Sequence, residues 1–257
     1  MAVTGWELFR DRFAGYEDSY VVIGGFACEV LLQASDLDFR ATKDIDMILL
    51  IDGDFPKFGH AFWEFIKEGG YKCGWRQSPD LHFYRFTEPK FGYPTQIELF
   101  SRIPDYHLNI DNSIIPIHID DEVSSLSAIV MNDDFYRLLQ EGKAIVNGIS
   151  TIEAAYLIPF KMFAWINLLD RKERGEHVNE RDLKKHKLDV FRLLQIVPDN
   201  ATVNLSGMCA EAAKKYLQLI QSEEIRLDQI GIEFTLEEGL GRLKEIYVIN
   251  TQGGSAT

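Results

Sequence analysis

The stretch that decides the fold is YVVIGGFACEVLLQASDLDFRATKDIDMILL, residues 20–50. Its first four residues are apolar and end at Gly24-Gly25, which predicts a short strand followed by a tight turn. Apolar side chains then recur at helical spacing up to residue 32, which predicts a helix. After a polar loop, a second apolar strand opens with two acids, Asp44 and Asp46. The predicted order is strand, glycine turn, helix, loop and strand.

The two acids of the second strand are placed to act together. Side chains alternate between the faces of a strand, so Asp44 and Asp46 share one face. Two adjacent carboxylates repel each other, and a hard divalent ion with oxygen ligands relieves this repulsion. Gly24-Gly25 lets a ligand approach the backbone closely, and the helix start offers free N–H groups to a phosphate. Alone, the pair of acids is commonly a solvated strand end, and Gly-Gly is commonly a plain turn. Together, in the order strand, turn, helix and strand, they predict phosphoryl or nucleotidyl transfer.

A third acid, Glu98, lies inside the apolar segment 96–100, which we predict to be a strand. An acid in such a position is costly unless it is paired or bound to a metal. Two interpretations stay open. Glu98 belongs to a metal site, or it is an acid at a strand edge that pairs with Arg85 or Arg102.

From residue 150 the pattern is helical almost to the end of the sequence. We therefore predict an α/β core over residues 1–149 and a helical part over residues 150–257 that closes the cleft. Lys161 lies among apolar neighbours and must direct its charge to solvent, to an anionic ligand such as a triphosphate, or to Asp189 on the next helix. The basic run 184–187 forms either an exposed helix face or a contact with phosphate or RNA.

Other local patterns predict structure rather than chemistry. The aromatic stripe within residues 54–68 is typical of a core face and not of a ligand site. Ser150 and Glu153 have the spacing of a capping box that opens a helix, and a hairpin is predicted around Glu141-Gly142. Pro159 is expected to kink its helix or to mark a restart. The acid cluster 120–122 is the main rival for a metal site, but it lacks positions fixed by a strand.

Composition narrows the classes of protein and partner. The chain has 257 residues, 46% hydrophobic and 26% charged, and no apolar run long enough to span a bilayer. Three widely spaced cysteines suit a reducing cytoplasm and argue against a disulfide framework. The net charge of −13 disfavours nonspecific binding to nucleic acid or to an anionic membrane, so a tRNA substrate would need a local basic patch.

The pattern Gly24-Gly25 followed by Arg40-x-Thr42-x-Asp44-Ile45-Asp46 resembles the signature of the nucleotidyltransferase superfamily that includes DNA polymerase β. Within it, the sequence is most similar to the AbiEii-type toxin and minimal nucleotidyltransferase branch. The resemblance departs from the family at two points. The 18 residues between the glycines and Asp44 are more than is usual, and no hydroxyl side chain follows the second glycine.

What the resemblance implies is a mixed α/β (α+β) sheet with flanking helices and a C-terminal helical part. It also implies one or two Mg²⁺ ions, with Mn²⁺ as a substitute, and a nucleoside triphosphate as substrate. The implied metal ligands are Asp44, Asp46 and Glu98. The implied catalytic residues are Asp44, Asp46, Glu98, Lys161 and Asp189. The implied nucleotide-binding residues are Gly24, Gly25, Arg40, Thr42, Lys43, Lys161 and Lys185. His186 stands where relatives carry an acid.

The resemblance also implies partners. The acceptor would be a hydroxyl of RNA, tRNA or protein, and a cognate antitoxin would be a partner; a membrane is not expected. Two alternatives stay open. One is a nucleotidyltransferase that modifies an antibiotic or another small molecule, and the other is a catalytically inactive relative that binds a nucleotide or a protein.

Overall fold

The computed structural model describes residues 3–50, 55–73, 84–100 and 133–249. The chain forms two compact units. The first comprises Met1–Met131 and Lys143–Ile152, and the second comprises Asn132–Gly142 and Glu153–Thr257. The boundary predicted from the sequence, between residues 149 and 150, stays a prediction.

The first unit is a mixed sheet with helices. Its elements in chain order are α1 (Trp6–Arg12), β1 (Tyr20–Ile23), α2 (Gly24–Gln33), β2 (Asp44–Leu49), α3 (Phe55–Gly69), β3 (Lys72–Cys73), β4 (Tyr84–Thr87) and β5 (Gln96–Phe100). The strand order is β1-β2-β5-β4-β3, with β2 and β5 parallel and the other neighbours antiparallel. The unit also contains the hairpin of β6 (Lys143–Val146) and β7 (Ile149–Ile152). The predicted α/β class is confirmed.

Aromatic rings form the core between α1, α3 and the start of β1. Phe13 lies with its ring centre 5.4 Å from that of Phe58 and 5.3 Å from that of Phe65. Tyr20 stacks on Phe58 at 5.8 Å, and Phe9 meets Tyr20 edge-on at 5.7 Å. All five side chains are at most 1% exposed. The aromatic stripe of α3 is therefore a core face, as its spacing predicts.

The second unit is mainly helical. Its helices are α4 (Asp133–Gly142), α5 (Ala154–Glu173), α6 (Glu180–Leu194), α7 (Gly207–Leu219) and α8 (Leu236–Ile246). Two short 3₁₀ turns lie at Ile220–Ser222 and Leu227–Ile230, and β8 (Val203–Leu205) pairs in parallel with β9 (Tyr247–Ile249). The predicted helical C-terminal part is confirmed. In the described part of the chain, no helix combines the length and the apolar character that crossing a membrane requires.

Two local predictions are wrong, and both concern the entry to the helical part. The hairpin turns at Asn147-Gly148 and not at Glu141-Gly142, which closes α4. Asn147 and Gly148 both have positive φ, the conformation that a two-residue hairpin turn needs. Ser150 lies in β7 and does not cap α5, whose N-cap residue is Glu153. The Asn-Gly pair carried the stronger turn signal.

Pro159 lies inside α5 without ending it. Proline has no N–H, so the carbonyl of Ala155, four residues earlier, loses its usual helical donor. The hydroxyl of Tyr247 donates a hydrogen bond of 2.6 Å to this carbonyl. Tyr247 is 3% exposed, so water has little access to the same oxygen. A side chain from the end of the chain therefore replaces the backbone bond that the proline removes.

We expect Tyr247→Phe to lower the free energy of unfolding by about 1–3 kcal/mol, because it leaves a buried carbonyl without a donor. Urea unfolding followed by circular dichroism measures the change. Tyr156→Phe is the matched control, since Tyr156 is only half-buried and loses the same oxygen. In a Pro159→Ala background, which restores the helical donor, the cost of Tyr247→Phe should shrink. An equal cost in both backgrounds would contradict this explanation.

Candidate active site

One face of the sheet carries the three predicted acids side by side. β2 runs parallel to β5, with Asp46 opposite Glu98. Residues that lie opposite each other in a sheet point to the same face. Asp44 and Asp46 are half-buried, whereas Ile45 and Met47, which point to the other face, are fully buried. The strand pairing therefore brings Glu98 next to Asp46. The sequence alone left open whether Glu98 joins the aspartates or only pairs with an arginine.

Glu98 is held from the opposite side by Arg85. Arg85 on β4 lies opposite Glu98 in the antiparallel pair with β5. Its Nε donates to Oε1 of Glu98 at 2.6 Å, and Nε2 of Gln96 donates to the same oxygen at 2.6 Å. The Glu98 side chain is 7% exposed and that of Arg85 is 32% exposed. Of the two arginine partners considered from the sequence, Arg85 is the one observed; Arg102 lies outside the described residues.

The charges around Glu98 act in opposite directions. Burial raises the pKa of Glu98, the adjacent Arg85 lowers it, and the negative charge of Asp44 raises it again, with a net upward shift. A buried carboxylate between another acid and an arginine depends on a nearby cation for its ionisation. Arg85 supplies that cation among the described residues.

The Gly24-Gly25 turn lies directly against Asp46. Gly24 has a φ of +71°, in the left-handed region. A Cβ at this position would overlap Oδ2 of Asp46 and lie 3.0 Å from its Cγ. Ile23 lies opposite Asp46 in the pairing of β1 with β2, so the turn follows directly from the sheet. The Asp46 carboxylate thus lies at the positively polarised first turn of α2, where a negative charge is stabilised.

A buried acid that the sequence analysis did not single out, Glu29, holds the loop before β2. Glu29 is 1% exposed and accepts a hydrogen bond of 2.8 Å from Oγ1 of Thr42. Nε2 of Gln33 donates to its other oxygen at 3.3 Å. Burial raises the pKa of Glu29, while Thr42 and Arg40 lower it. The sequence feature that could have identified Glu29 is its place as an acid on an otherwise apolar helix, where a buried carboxyl group needs a hydrogen-bond or ion-pair partner.

The residues that Glu29 holds lie beside the glycine turn. A Cβ on Gly25 would lie 3.0 Å from Cγ2 of Thr42 and 3.6 Å from Nη2 of Arg40. The Arg40 guanidinium stands 4.8 Å from the centre of the Phe39 ring. Lys43, the third residue predicted to bind nucleotide in this loop, is exposed. Arg40 and Thr42 therefore lie beside Gly25 at the start of α2, and a role of these residues in nucleotide binding stays a prediction.

The donor set of this face suits a hard divalent cation. Asp44, Asp46 and Glu98 offer carboxylate oxygens, the ligands that Mg²⁺ prefers. Among the described residues, however, no group of three or more His, Cys, Asp or Glu side chains is gathered closely enough to hold a metal. Oε1 of Glu98 is instead bonded to Arg85. Asp44, Asp46 and Glu98 as ligands of a divalent ion therefore stay a prediction.

In the second unit, Lys161 binds the other residue predicted with it. Nζ of Lys161 lies 3.3 Å from Oδ2 of Asp189, and Nη1 of Arg192 lies 3.1 Å from Oδ1. The Lys161 side chain is 4% exposed and that of Asp189 is 0% exposed. Of the destinations left open for the charge of Lys161, the structure places it on Asp189. A role of either residue at a nucleotide stays a prediction.

The basic run 184–187 is largely neutralised within its own unit. Lys185 pairs with Asp182 one turn earlier, and Lys187 pairs with Glu223 at 2.5 Å. Burial and the charge of Lys161 lower the pKa of His186 to about 3, so its ring is neutral at pH 7. A neutral ring does not reproduce the charge of the acid that the sequence resemblance implies at this position. These pairs favour the interpretation of the run as a helix face.

The rival acid cluster at residues 120–122 lies outside the described residues.

Comparisons with known proteins add little to this geometry. No model of a known protein family matches the sequence. No curated protein matches it either. Among solved structures, the chain is similar to an antigenic nucleotidyltransferase-like protein from Paracoccidioides brasiliensis, with a TM-score of 0.48 and 13% identity over 91% of this chain and 89% of that one. At this level of similarity, the neighbour decides neither the fold nor the function.

Gly24→Ala should destabilise the protein more than the same change at a glycine with open surroundings. Gly15 is the matched control, since its φ is +87° and a Cβ there would meet nothing within 4 Å. Both changes force a side chain into the left-handed region, but only Gly24→Ala collides with Asp46. We expect an additional loss of about 1–3 kcal/mol in the free energy of unfolding, the range for overpacked sites. Equal losses would show that the close approach to Asp46 is not rigid.

Lys161→Met should lower the free energy of unfolding by about 3–5 kcal/mol, because it leaves Asp189 buried with its charge only partly compensated. Lys215→Met is the matched control, since Lys215 pairs with Asp170 at the surface. That change should cost no more than about 1 kcal/mol. Chemical unfolding of both variants makes the comparison. A small loss for Lys161→Met would mean that the buried pair contributes little to stability.

Proposed function

We propose that this chain is a metal-dependent nucleotidyltransferase, which moves a nucleoside monophosphate from a nucleoside triphosphate to an acceptor hydroxyl. One observation carries the proposal. Asp46 lies between Glu98 on the neighbouring strand and the Gly24 turn at the start of α2. Acids for a metal and a backbone turn for phosphates are thus in direct contact.

Each of these residues would have its own part in the reaction. Asp44 and Asp46 would hold one or two Mg²⁺ ions, for which Mn²⁺ can substitute, and Glu98 would complete the set. The ion supplies charge stabilisation for the triphosphate and lowers the barrier for attack at phosphorus. The free N–H groups at the start of α2 bind phosphate oxygens. Arg40, held beside the turn, adds a cation for the same phosphates.

The reaction then needs a base and an aligned acceptor. The acceptor hydroxyl attacks the α-phosphorus, the new O–P bond forms as the bond to the bridging β-phosphate oxygen breaks, and pyrophosphate leaves. A carboxylate of the acid group takes the proton of the hydroxyl. Holding the nucleotide against both the turn and the acids keeps the α-phosphorus in line with the acceptor.

The finer assignment to the AbiEii-type toxin branch rests on the sequence pattern alone. It specifies an acceptor hydroxyl on RNA, tRNA or protein, and a cognate antitoxin as partner. In that assignment Lys161, Lys185 and Asp189 contribute to the nucleotide site. The pairs that these three residues form in the second unit would have to coexist with a bound nucleotide or open to receive it.

A second candidate function is that of a catalytically inactive relative that binds a nucleotide or a protein. The bond from Arg85 to Glu98 favours it, because the third acid already has a cation partner in the arginine. The two candidates differ in whether nucleotide transfer occurs.

Incubation with each α-labelled nucleoside triphosphate, Mg²⁺ and total RNA tests the proposal. Labelled RNA, protein and small molecules are then separated. Asp46→Asn should lower transfer by about 100-fold or more, which corresponds to about 2.7 kcal/mol of transition-state stabilisation. Asp38→Asn is the matched control, because Asp38 is an exposed acid in the loop before β2.

The outcomes separate the candidates. Transfer that survives Asp46→Asn would refute the site. Absence of transfer to any acceptor, together with measurable nucleotide binding, would support the inactive relative. Label on a small molecule rather than on RNA or protein would refute the proposed macromolecular acceptor, whereas the proposed metal and phosphate site would stand.

A further inference from the structure

We propose that Arg85 is an internal cation that competes with the divalent ion for Glu98 and thereby sets the metal affinity of the site. The inference rests on the proposed function, because the ion is the one proposed above. It assigns a role to a residue that the sequence pattern treats only as a partner of a strand-edge acid.

The strand register places Arg85 where such competition can occur. Asp46, Glu98 and Arg85 form one row across β2, β5 and β4 on a single face of the sheet. The aspartates approach Glu98 from one side and the guanidinium approaches it from the other. Glu98 is therefore the carboxylate that both cations can reach.

The hydrogen bonds of Glu98 show what the ion must displace. Oε1 accepts from both Nε of Arg85 and Nε2 of Gln96 at 2.6 Å, short distances for such bonds. An oxygen with two donors has little capacity left for a metal. Binding through this oxygen, alone or in a bidentate mode with Oε2, therefore requires that the bond to Arg85 break, and this cost lowers the metal affinity.

The exposure of Arg85 makes the displacement feasible. Its side chain is 32% exposed, so the released guanidinium can be hydrated where it stands. Lys161 differs, because it is 4% exposed and its partner is 0% exposed, so breaking that pair would strand two buried charges. Among the buried acids of the described residues, Glu98 thus has a cation partner that can be exchanged.

The competition predicts that removal of the arginine tightens metal binding. Titration of the folded full-length chain with Mn²⁺, followed by electron paramagnetic resonance of the free ion, measures affinity directly and without turnover. We expect Arg85→Gln to bind Mn²⁺ about tenfold more tightly than the unaltered chain, since a bond to a charged group is worth at least this factor. Unchanged or weaker binding would overturn the proposal.

Two controls separate competition from the loss of a positive charge. Lys72 lies on the next strand, is exposed and pairs with Glu88, so Lys72→Gln removes an equal charge without touching Glu98. This change should alter the Mn²⁺ affinity by less than about twofold. Lys72 lies two strands away from Glu98, and exposed charges that far apart are largely screened by salt. In a Glu98→Gln background, Arg85→Gln should have no greater effect than Lys72→Gln. An undiminished effect in that background would also overturn the proposal.

Arg85→Lys covers the case in which Arg85→Gln fails to fold, as judged by circular dichroism. An ammonium is a single point charge and does not reproduce the fixed geometry of the guanidinium, so Mn²⁺ should bind more tightly than to the unaltered chain. Equal or weaker binding by a folded Arg85→Lys variant would overturn the proposal.

The same titration distinguishes the two proposals. If the unaltered chain binds Mn²⁺ and Asp46→Asn does not, but Arg85→Gln behaves like Lys72→Gln, the competition is refuted and the proposed metal site stands. If neither the unaltered chain nor Arg85→Gln binds Mn²⁺ at millimolar concentration, both the competition and the metal site are refuted.

Discussion

The parallel pairing of β2 with β5 is the constraint on which the rest of the candidate site depends. A parallel pair fixes which side chains share a face, and here it places Glu98 beside Asp46. Acids on neighbouring strands that share a face need positive charge nearby. The first turn of α2 supplies it beside Asp46, and Arg85 supplies it beside Glu98. The helix start at the glycine turn and the arginine both offset the repulsion between these carboxylates.

The loop before β2 shows how this constraint extends into the helix. Asp46 approaches the backbone at Gly24 so closely that no side chain fits there. One turn further along α2, Glu29 binds Thr42, and Arg40 lies near the same turn. A buried acid is costly unless it is hydrogen-bonded, and Thr42 supplies a hydrogen bond to Glu29. Glu29 thus fixes the loop that the phosphates would contact.

The sequence predicted those features that follow from short-range patterns. Apolar spacing located α2, α3 and β2, and alternation along β2 placed Asp44 and Asp46 on one face. Pairings between distant segments were harder to predict. The partner of Glu98 depends on the register between β4 and β5, which no local pattern encodes, and two arginines stayed open for it. The misplaced hairpin has a different cause, because Asn147-Gly148 was a local signal that the sequence analysis overlooked.

The two units contain buried ion pairs of different kinds, and the difference bears on what each can do. Lys161 and Asp189 are both almost inaccessible, and Asp189 has a second cation in Arg192. Opening that pair would expose two charges to an apolar interior, so its contribution is to hold α5 against α6. Glu98 and Arg85 share a pair with one side open to water. A pair of this second kind can exchange its cation at lower cost, and for this reason we propose the acid group of the sheet, rather than the buried lysine, as the place where a ligand binds.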